Sequence, residues 1–256
     1  MATRATKTTA VATKAGAALA LADIKAKLSE AAANLAEQIG QAAQNKIGTE
    51  DSQFKFPDGT VDAGPINLVI LDFVSRNKYY TAPYKKGSIS PPLCYAIGKN
   101  INAMKPSPKA AEPQAPTCAE CPHNQWGSDG SSGKACKNSR FLAVVAPDDV
   151  STDSKIMTLE VSPTALKNFD AMVNTIARLY ETPPIGAVVE VSFNEGLKYP
   201  SLVFSRPEEN VNLAAHYARL PEVDQLLFAE LDTGAAPSAP PASVPPVRAR
   251  ARAGRA

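Results

Sequence analysis

The 256-residue chain contains no apolar run approaching the roughly 18 residues that a membrane span requires. Aromatic residues make up only 6% of it, with a single Trp, and there are just two histidines, His123 and His216. Both follow Cys121, which excludes zinc deaminase chemistry, since that needs an H-x-E upstream of its P-C-x-x-C pair. A G-x-S-x-G elbow, a glycine-rich phosphate loop and a paired-carboxylate motif in a recognisable context are also missing. Asp148, Asp149 and Asp153 are clustered, but they fall between two expected strands. Solvated turn chemistry accounts for them better than a metal-dependent nuclease does. These absences leave a protein that is not an enzyme as the expectation. No secretory apolar segment with a small-residue cleavage pattern is visible, so a reducing compartment is expected. In such a compartment paired cysteines indicate metal or redox chemistry rather than a disulfide framework.

Four cysteines are present, Cys94, Cys118, Cys121 and Cys136, spaced C-x23-C-x2-C-x14-C. The two-residue spacing lets both sulfurs reach one tetrahedral ion from a tight turn. With all four as thiolate ligands, the expected site is a closed, structural Zn2+ site, one ion per chain. The segment around them, from Lys85 to Ser139, is rich in Pro, Gly, Ser, Asn and Lys and poor in large apolar residues. Structureless loops of that length are uncommon inside a compact domain. Metal binding worth on the order of 10 kcal/mol would offset the ordering of such a loop. Lys134 and Lys137 flank Cys136 and favour its thiolate. Three other readings stay open: a Cys3His site in which His123 replaces Cys94, a redox pair at Cys118 and Cys121, and four cysteines that bind nothing.

The net charge of +2 hides a strong asymmetry. Arg76 to Arg140 holds ten basic and three acidic residues, a net +7, whereas Phe141 to Asp232 holds six basic and fourteen acidic, a net −8. A polyanion-binding face beside an acidic remainder is the expectation. Within the basic stretch, Tyr79, Tyr80 and Tyr84 alternate with Lys78, Lys85 and Lys86, and Arg76 lies just before. Aromatic faces stack on bases while cations track phosphates, so this interleaving suits a single strand of nucleic acid. The plainer reading makes one of Tyr79 and Tyr80 a core residue and the other a surface residue of an edge strand. Trp126 is either the small core of the cysteine loop or a stacking platform. Tyr95 and Tyr199 are further stacking candidates, and Lys99, Lys134, Lys137 and Arg140 are candidate phosphate contacts.

Composition and periodicity divide the chain into a flexible basic tail (1–17), an N-terminal helix (18–48), a β-rich domain (49–232) carrying the cysteine insertion at about 85–139, and a disordered Pro/Ala/Arg-rich tail (233–256). Leu21, Ile24, Leu28, Leu35 and Ile39 fall near one face of the first helix. Strands are expected at Asn67–Phe73, Lys78–Tyr84, Arg140–Val145, Lys155–Val161, Ala187–Phe193 and Tyr199–Ser205. Pro83 assigns the second of these to a sheet edge. Ser162 and Pro163 are expected to open a helix that runs to about Tyr180, with Leu166, Phe169, Met172, Val173, Ile176 and Leu179 facing the core. Two short helices separated at Pro221 are expected between Asn210 and Leu231. The fold class is therefore mainly β with helices, an α+β protein. Its element order is compatible with a small barrel of the oligonucleotide/oligosaccharide-binding (OB) type.

Between Leu68 and Phe204 stand Leu71-Asp72-Phe73, Tyr79-Tyr80, Pro91-Pro92-Leu93-Cys94, Cys118-Ala-Glu-Cys-Pro-His-Asn-Gln-Trp-Gly-Ser128, Gly133-Lys-Ala-Cys136, Arg140, Leu159 to Thr164 and Tyr199 to Phe204. In these residues the stretch resembles phage-encoded single-stranded-DNA-binding proteins with a zinc-bearing OB-like fold. The cysteine loop is its specific part. The resemblance implies zinc at Cys94, Cys118, Cys121 and Cys136, and single-stranded DNA in the barrel groove. It also implies a role in phage DNA replication or recombination, partners among the proteins of those processes, and the cytoplasm of an infected bacterial host. Binders of this type often end in an acidic tail that recruits partners; here the acidic residues end at Asp232 and four arginines follow. The alternative expectation is a structural or interaction protein of a virion or transcription complex, with the zinc loop as a docking module.

Overall fold

The computed structural model describes residues 45–82 and 90–231, together with 24, 25, 27–29 and 31. The chain divides into two units, Met1–Gln44 and Asn45–Ala256. In the first, the described residues are helical, within the span expected for the N-terminal helix. The rest of that helix up to Gln44, both tails, and Tyr84, Lys85 and Lys86 lie outside the described residues. The expected helix end at 48 is corrected: Lys46 and Ile47 are extended and pair with a strand.

The second unit is a mixed α+β fold built on one curled half-barrel sheet. Its strands are β1 (Lys46–Ile47), β2 (Phe54–Lys55), β3 (Val61–Asp62), β4 (Ile66–Tyr79), β5 (Cys94–Gly98), β6 (Lys137–Val145), β7 (Met157–Val161), β8 (Ala187–Phe193) and β9 (Leu202–Glu209). Its helices are α1 (Leu166–Tyr180), α2 (Leu213–Ala218) and α3 (Leu220–Leu227). The main sheet runs β1-β7-β6-β4-β8-β9, with β5 also on β4, while β2 and β3 form a separate ribbon. All pairings in it are antiparallel except β1 with β7. Among the described residues no helix is long and apolar enough to cross a membrane.

The long strand β4 organises this sheet. Leu68 to Leu71 are buried on both faces, so the strand reads as a continuous apolar run rather than an alternating one. One edge of β4 pairs with β6 from Val69 to Lys78. The other edge is shared, with β8 along Ile66–Val69 and β5 along Ser75–Tyr79. A register shift between Ile70 and Asp72 changes the facing of the strand. Ile66, Leu68 and Ile70 enter the core before the shift, and Phe73 packs against it after.

Helix α1 packs on the sheet against β9 and β4. Phe169 meets Phe73 and Phe204 edge-on at 5.1 and 5.2 Å, and the Phe204 N–H donates to the Asn168 carboxamide oxygen at 2.6 Å. Phe169, Met172 and Ile176 are buried, each worth roughly 1.5–3 kcal/mol in apolar burial. The expected core face is corrected at its end, since Leu179 is 58% exposed. The helix start also differs from expectation. Pro163–Ala165 form a 3-10 turn, and the Ser162 hydroxyl bonds to that of Thr164 instead of capping backbone N–H groups.

Candidate functional site

The residues between β5 and β6 form little regular structure; turns, hydrogen bonds and four sulfurs order them. Cys94 opens β5 opposite Tyr79. The Cys118 N–H donates to Met104 O (2.9 Å) and the Cys136 N–H to His123 O (2.8 Å). The Asn124 side chain donates to Cys118 O (2.8 Å), and that of Gln125 donates to Ala119 O (2.9 Å) and Cys121 O (3.2 Å). Gly127, at φ 84°, turns the chain so that its N–H reaches Gly133 O at 2.8 Å.

All four thiols are free and buried. They line one cavity of about 10 Å3, together with Asn77, Tyr79 and Asn124. Among the described residues no three His, Cys, Asp or Glu side chains form a ready metal-holding group. The thiols are nonetheless close enough to oppose one another's ionisation. Burial first, then Cys118, Cys121 and Cys94, push the Cys136 thiol up to about 12. Burial also raises Cys94 and Cys118, against the Gln114 backbone N–H on the former and the Asn77 side chain on the latter. The Cys94, Cys118 and Cys136 thiols therefore stay protonated at neutral pH, and a cation in their midst would reverse that balance. Four sulfurs around one enclosed space fit the donor set of a structural Zn2+. His123 instead stacks on Tyr79, with centroids 4.1 Å apart and planes at 16°. It is not part of the cavity wall, whereas Cys94 is.

The candidate nucleic-acid residues separate into distinct sets. Arg76 and Tyr95 are 5% and 1% exposed, and neither presents a group to a ligand at the surface, which corrects the expectation for both. The Arg76 guanidinium lies 3.4 Å from the centroid of Phe141 and donates to Leu227 O (3.1 Å) and Ala229 O (3.4 Å) beyond α3. Burial lowers its pKa to about 10, with Glu160 and Glu230 opposing. The Tyr95 hydroxyl donates to Glu230 and accepts from Ser107 (3.2 Å); burial, then Glu230, hold its pKa at about 12. Lys99 bridges Asp72 (2.8 Å) and Asp224 (2.9 Å), tying β4 to α3. Tyr79 has one face against His123. Tyr199, 49% exposed, lies in the β8–β9 turn rather than in a strand.

Trp126, Lys134, Lys137 and Arg140 come together. They line a groove of about 690 Å3 between the cysteine loop and the start of α1. Asn124, Asn138, Ile101 and Thr164 also line it, and sequence reasoning missed them. Trp126 is 78% exposed, so it is not the core of its loop. The Lys134 ammonium sits 5.3 Å from its ring centroid, and the Lys137 ammonium donates to Lys134 O at 2.8 Å. Arg140 pairs with Asp170 across the groove at 3.3 Å. The floor is an amide cluster in which Asn138 donates to Asn77 and to Asn124 (3.1 Å). Cys136 belongs both to this groove and to the cysteine cavity.

A second hollow, of about 280 Å3, adjoins the groove at Lys137 and Pro163. Lys46, Thr49, Lys78, Tyr80, Ser139, Glu160 and Ser162 also line it. Lys78 pairs with Glu160, which also accepts from the Ser139 hydroxyl at 2.9 Å. The register separates the two sites. Asn77 lies opposite Asn138 on the groove face, and Lys78 opposite Lys137 on the other, although the long Lys137 side chain brings its ammonium to Lys134 O and so also lines the groove. Lys46 was hidden from sequence reasoning inside an apparent helix; no signal short of the β1–β7 pairing marks it. Compared with protein-family models, curated proteins and solved structures, the chain matches none.

Proposed function

We propose that this protein binds single-stranded nucleic acid, DNA in the first instance, in a sequence-tolerant way along the groove beside the cysteine loop. The observation that carries the reading is the exposed Trp126 set beside Lys134, Lys137 and Arg140 in one groove. An indole supplies a stacking surface that any base accepts, and the cations follow the backbone. With Asp170 counted, the charged groups on the groove carry a net +2. The element order supports an OB-like reading of the fold. Strands β4, β6 and β7 precede α1, β8 and β9 follow it, and the five lie side by side as β7-β6-β4-β8-β9. In this reading these five strands of the seven-stranded half-barrel sheet serve as a partly open barrel, a frame used for oligonucleotides.

Zinc at Cys94, Cys118, Cys121 and Cys136 belongs to the same reading. Its role is structural: the four cysteines would hold the loop that carries Trp126 and Lys134, and no catalytic position is left open. Support of phage DNA replication or recombination remains the proposed setting. The test is a titration with oligo(dT) at 50 and 200 mM salt, read by the fluorescence of the one tryptophan. Three cations tracking phosphates give a log–log salt slope of about −2, a loss of about twentyfold across that range. Absence of binding at the lower salt, or equal affinity at both, would sink the reading.

A further inference from the structure

The hollow behind the groove has a chemistry of its own. Lys78 on β4 and Lys137 on β6 are direct cross-strand partners. Like charges directly opposite each other destabilise a sheet. Glu160 pairs with Lys78, which leaves Lys46 and Lys137 as the other cations of the lining. The lining thus holds three lysines against one carboxylate, a net +2 in which Lys137 is shared with the groove, where its ammonium donates to Lys134 O. Four hydroxyls also line it: Ser139 donates to Glu160 and Ser162 bonds to Thr164, with Thr49 and Tyr80 beside them. Burial, then Glu160, raise the Tyr80 phenol, so it stays a hydrogen-bond donor at neutral pH. At about 280 Å3 the hollow lies close to the roughly 300–1,000 Å3 of small-ligand sites.

We propose that this hollow binds a phosphate monoester, the terminal phosphate of the strand whose bases lie along the groove. The proposal rests on the groove reading for the path of the strand, and on the hollow alone for the phosphate. A phosphate monoester carries about −1.5 to −2 charge at neutral pH and three acceptor oxygens, which matches a net +2 edged with hydroxyl donors. An internal diester carries a single charge and would leave half of that field unbalanced. The two sites meet at Lys137 and Pro163, at the start of β6. A strand leaving the groove there turns round the rim and sets its end against the opposite face.

The experiment compares unlabelled oligo(dT) with a 5′-phosphate, a 3′-phosphate or neither, using Trp126 quenching. One phosphorylated end should bind about tenfold more tightly than the bare oligonucleotide, the worth of a charge-assisted contact. That advantage should vanish in Lys46→Ala, an exposed position whose loss leaves the sheet intact, and in Lys137→Ala. Thymidine 5′-monophosphate, followed by calorimetry, tests the hollow apart from the groove. If no oligonucleotide quenches Trp126 while the monophosphate still binds and Lys46→Ala abolishes it, the groove reading and the path of the strand fail and the phosphate site alone stands. Equal affinity for all three oligonucleotides, or a phosphate advantage that survives both lysine variants, overturns the proposal. So does a monophosphate that gives no heat of binding.

Discussion

Replacing Trp126 with Ala separates binding from folding more cleanly than any other change in this chain. Trp126 is 78% exposed, and the Lys134 ammonium lies 5.3 Å from its ring centroid. Truncation therefore removes little buried surface, and stability should change by less than about 0.5 kcal/mol. Stacking on one base is worth roughly 1–3 kcal/mol in proteins that hold single strands. The same range is a loss of about five- to 150-fold in affinity. Since the substitution removes the intrinsic fluorophore, the assay is the anisotropy of end-labelled oligo(dT), with denaturant unfolding measured in parallel. Tyr95→Phe is the matched control. Its hydroxyl is buried against Glu230 and Ser107, so its loss should cost about 1–3 kcal/mol of stability and leave affinity unchanged. The reasoning is refuted if Trp126→Ala binds as tightly as the parent, or if Tyr95→Phe weakens binding while the fold is unaffected.

Two further outcomes follow from buried groups. The purified protein should hold about one zinc per chain, and Cys121→Ser should lose it and open the segment between β5 and β6 to proteolysis; a folded, metal-free protein with four titratable thiols would contradict this. His216 is fully buried, with Nδ1 bonded to Asn210, Nε2 unpartnered among the described residues, and a pKa that burial holds below the ordinary histidine value. The unfolded chain therefore takes up the proton first. Stability should be full above about pH 6.5 and fall as the pH drops from there toward the folded pKa. The denaturation midpoint should be lower at pH 5.5 than at 7.5, with a smaller difference in His216→Gln; a midpoint that rises on acidification reverses the sign and refutes it.

Where apolar runs are buried on a sheet, the sequence is legible. Asn67–Phe73, Arg140–Val145 and Ala187–Phe193 lie within β4, β6 and β8. Strand β5 is not legible in this way, because Cys94–Gly98 sits in a polar segment and owes its conformation to backbone pairing with Ser75–Tyr79. The same limit governs the site. Arg76 has the chemistry of a phosphate ligand, but Phe141 and two carbonyls about 150 residues along the chain occupy it. Lys99 is likewise taken by Asp72 and Asp224. Residue type marked which side chains are suited to an anion, while long-range pairing decided which of them line the groove. Trp126 had two readings in the sequence, and its exposure removes the one that made it the core of its loop.

The sharing of β4 has a consequence for how the chain reaches this fold. At about 3.3 Å per residue its fourteen residues extend roughly 46 Å, and its partners range from Cys94 to Val191. Neither the part of the sheet bearing the cysteines nor the part bearing the β8–β9 hairpin can assemble without it. Closing such long loops before any contact rewards them slows folding to milliseconds or longer. It also makes the two parts cooperative. A segment cut out around the four cysteines would lack its pairing strand, so the loop that carries Trp126 cannot be studied as a free-standing metal module.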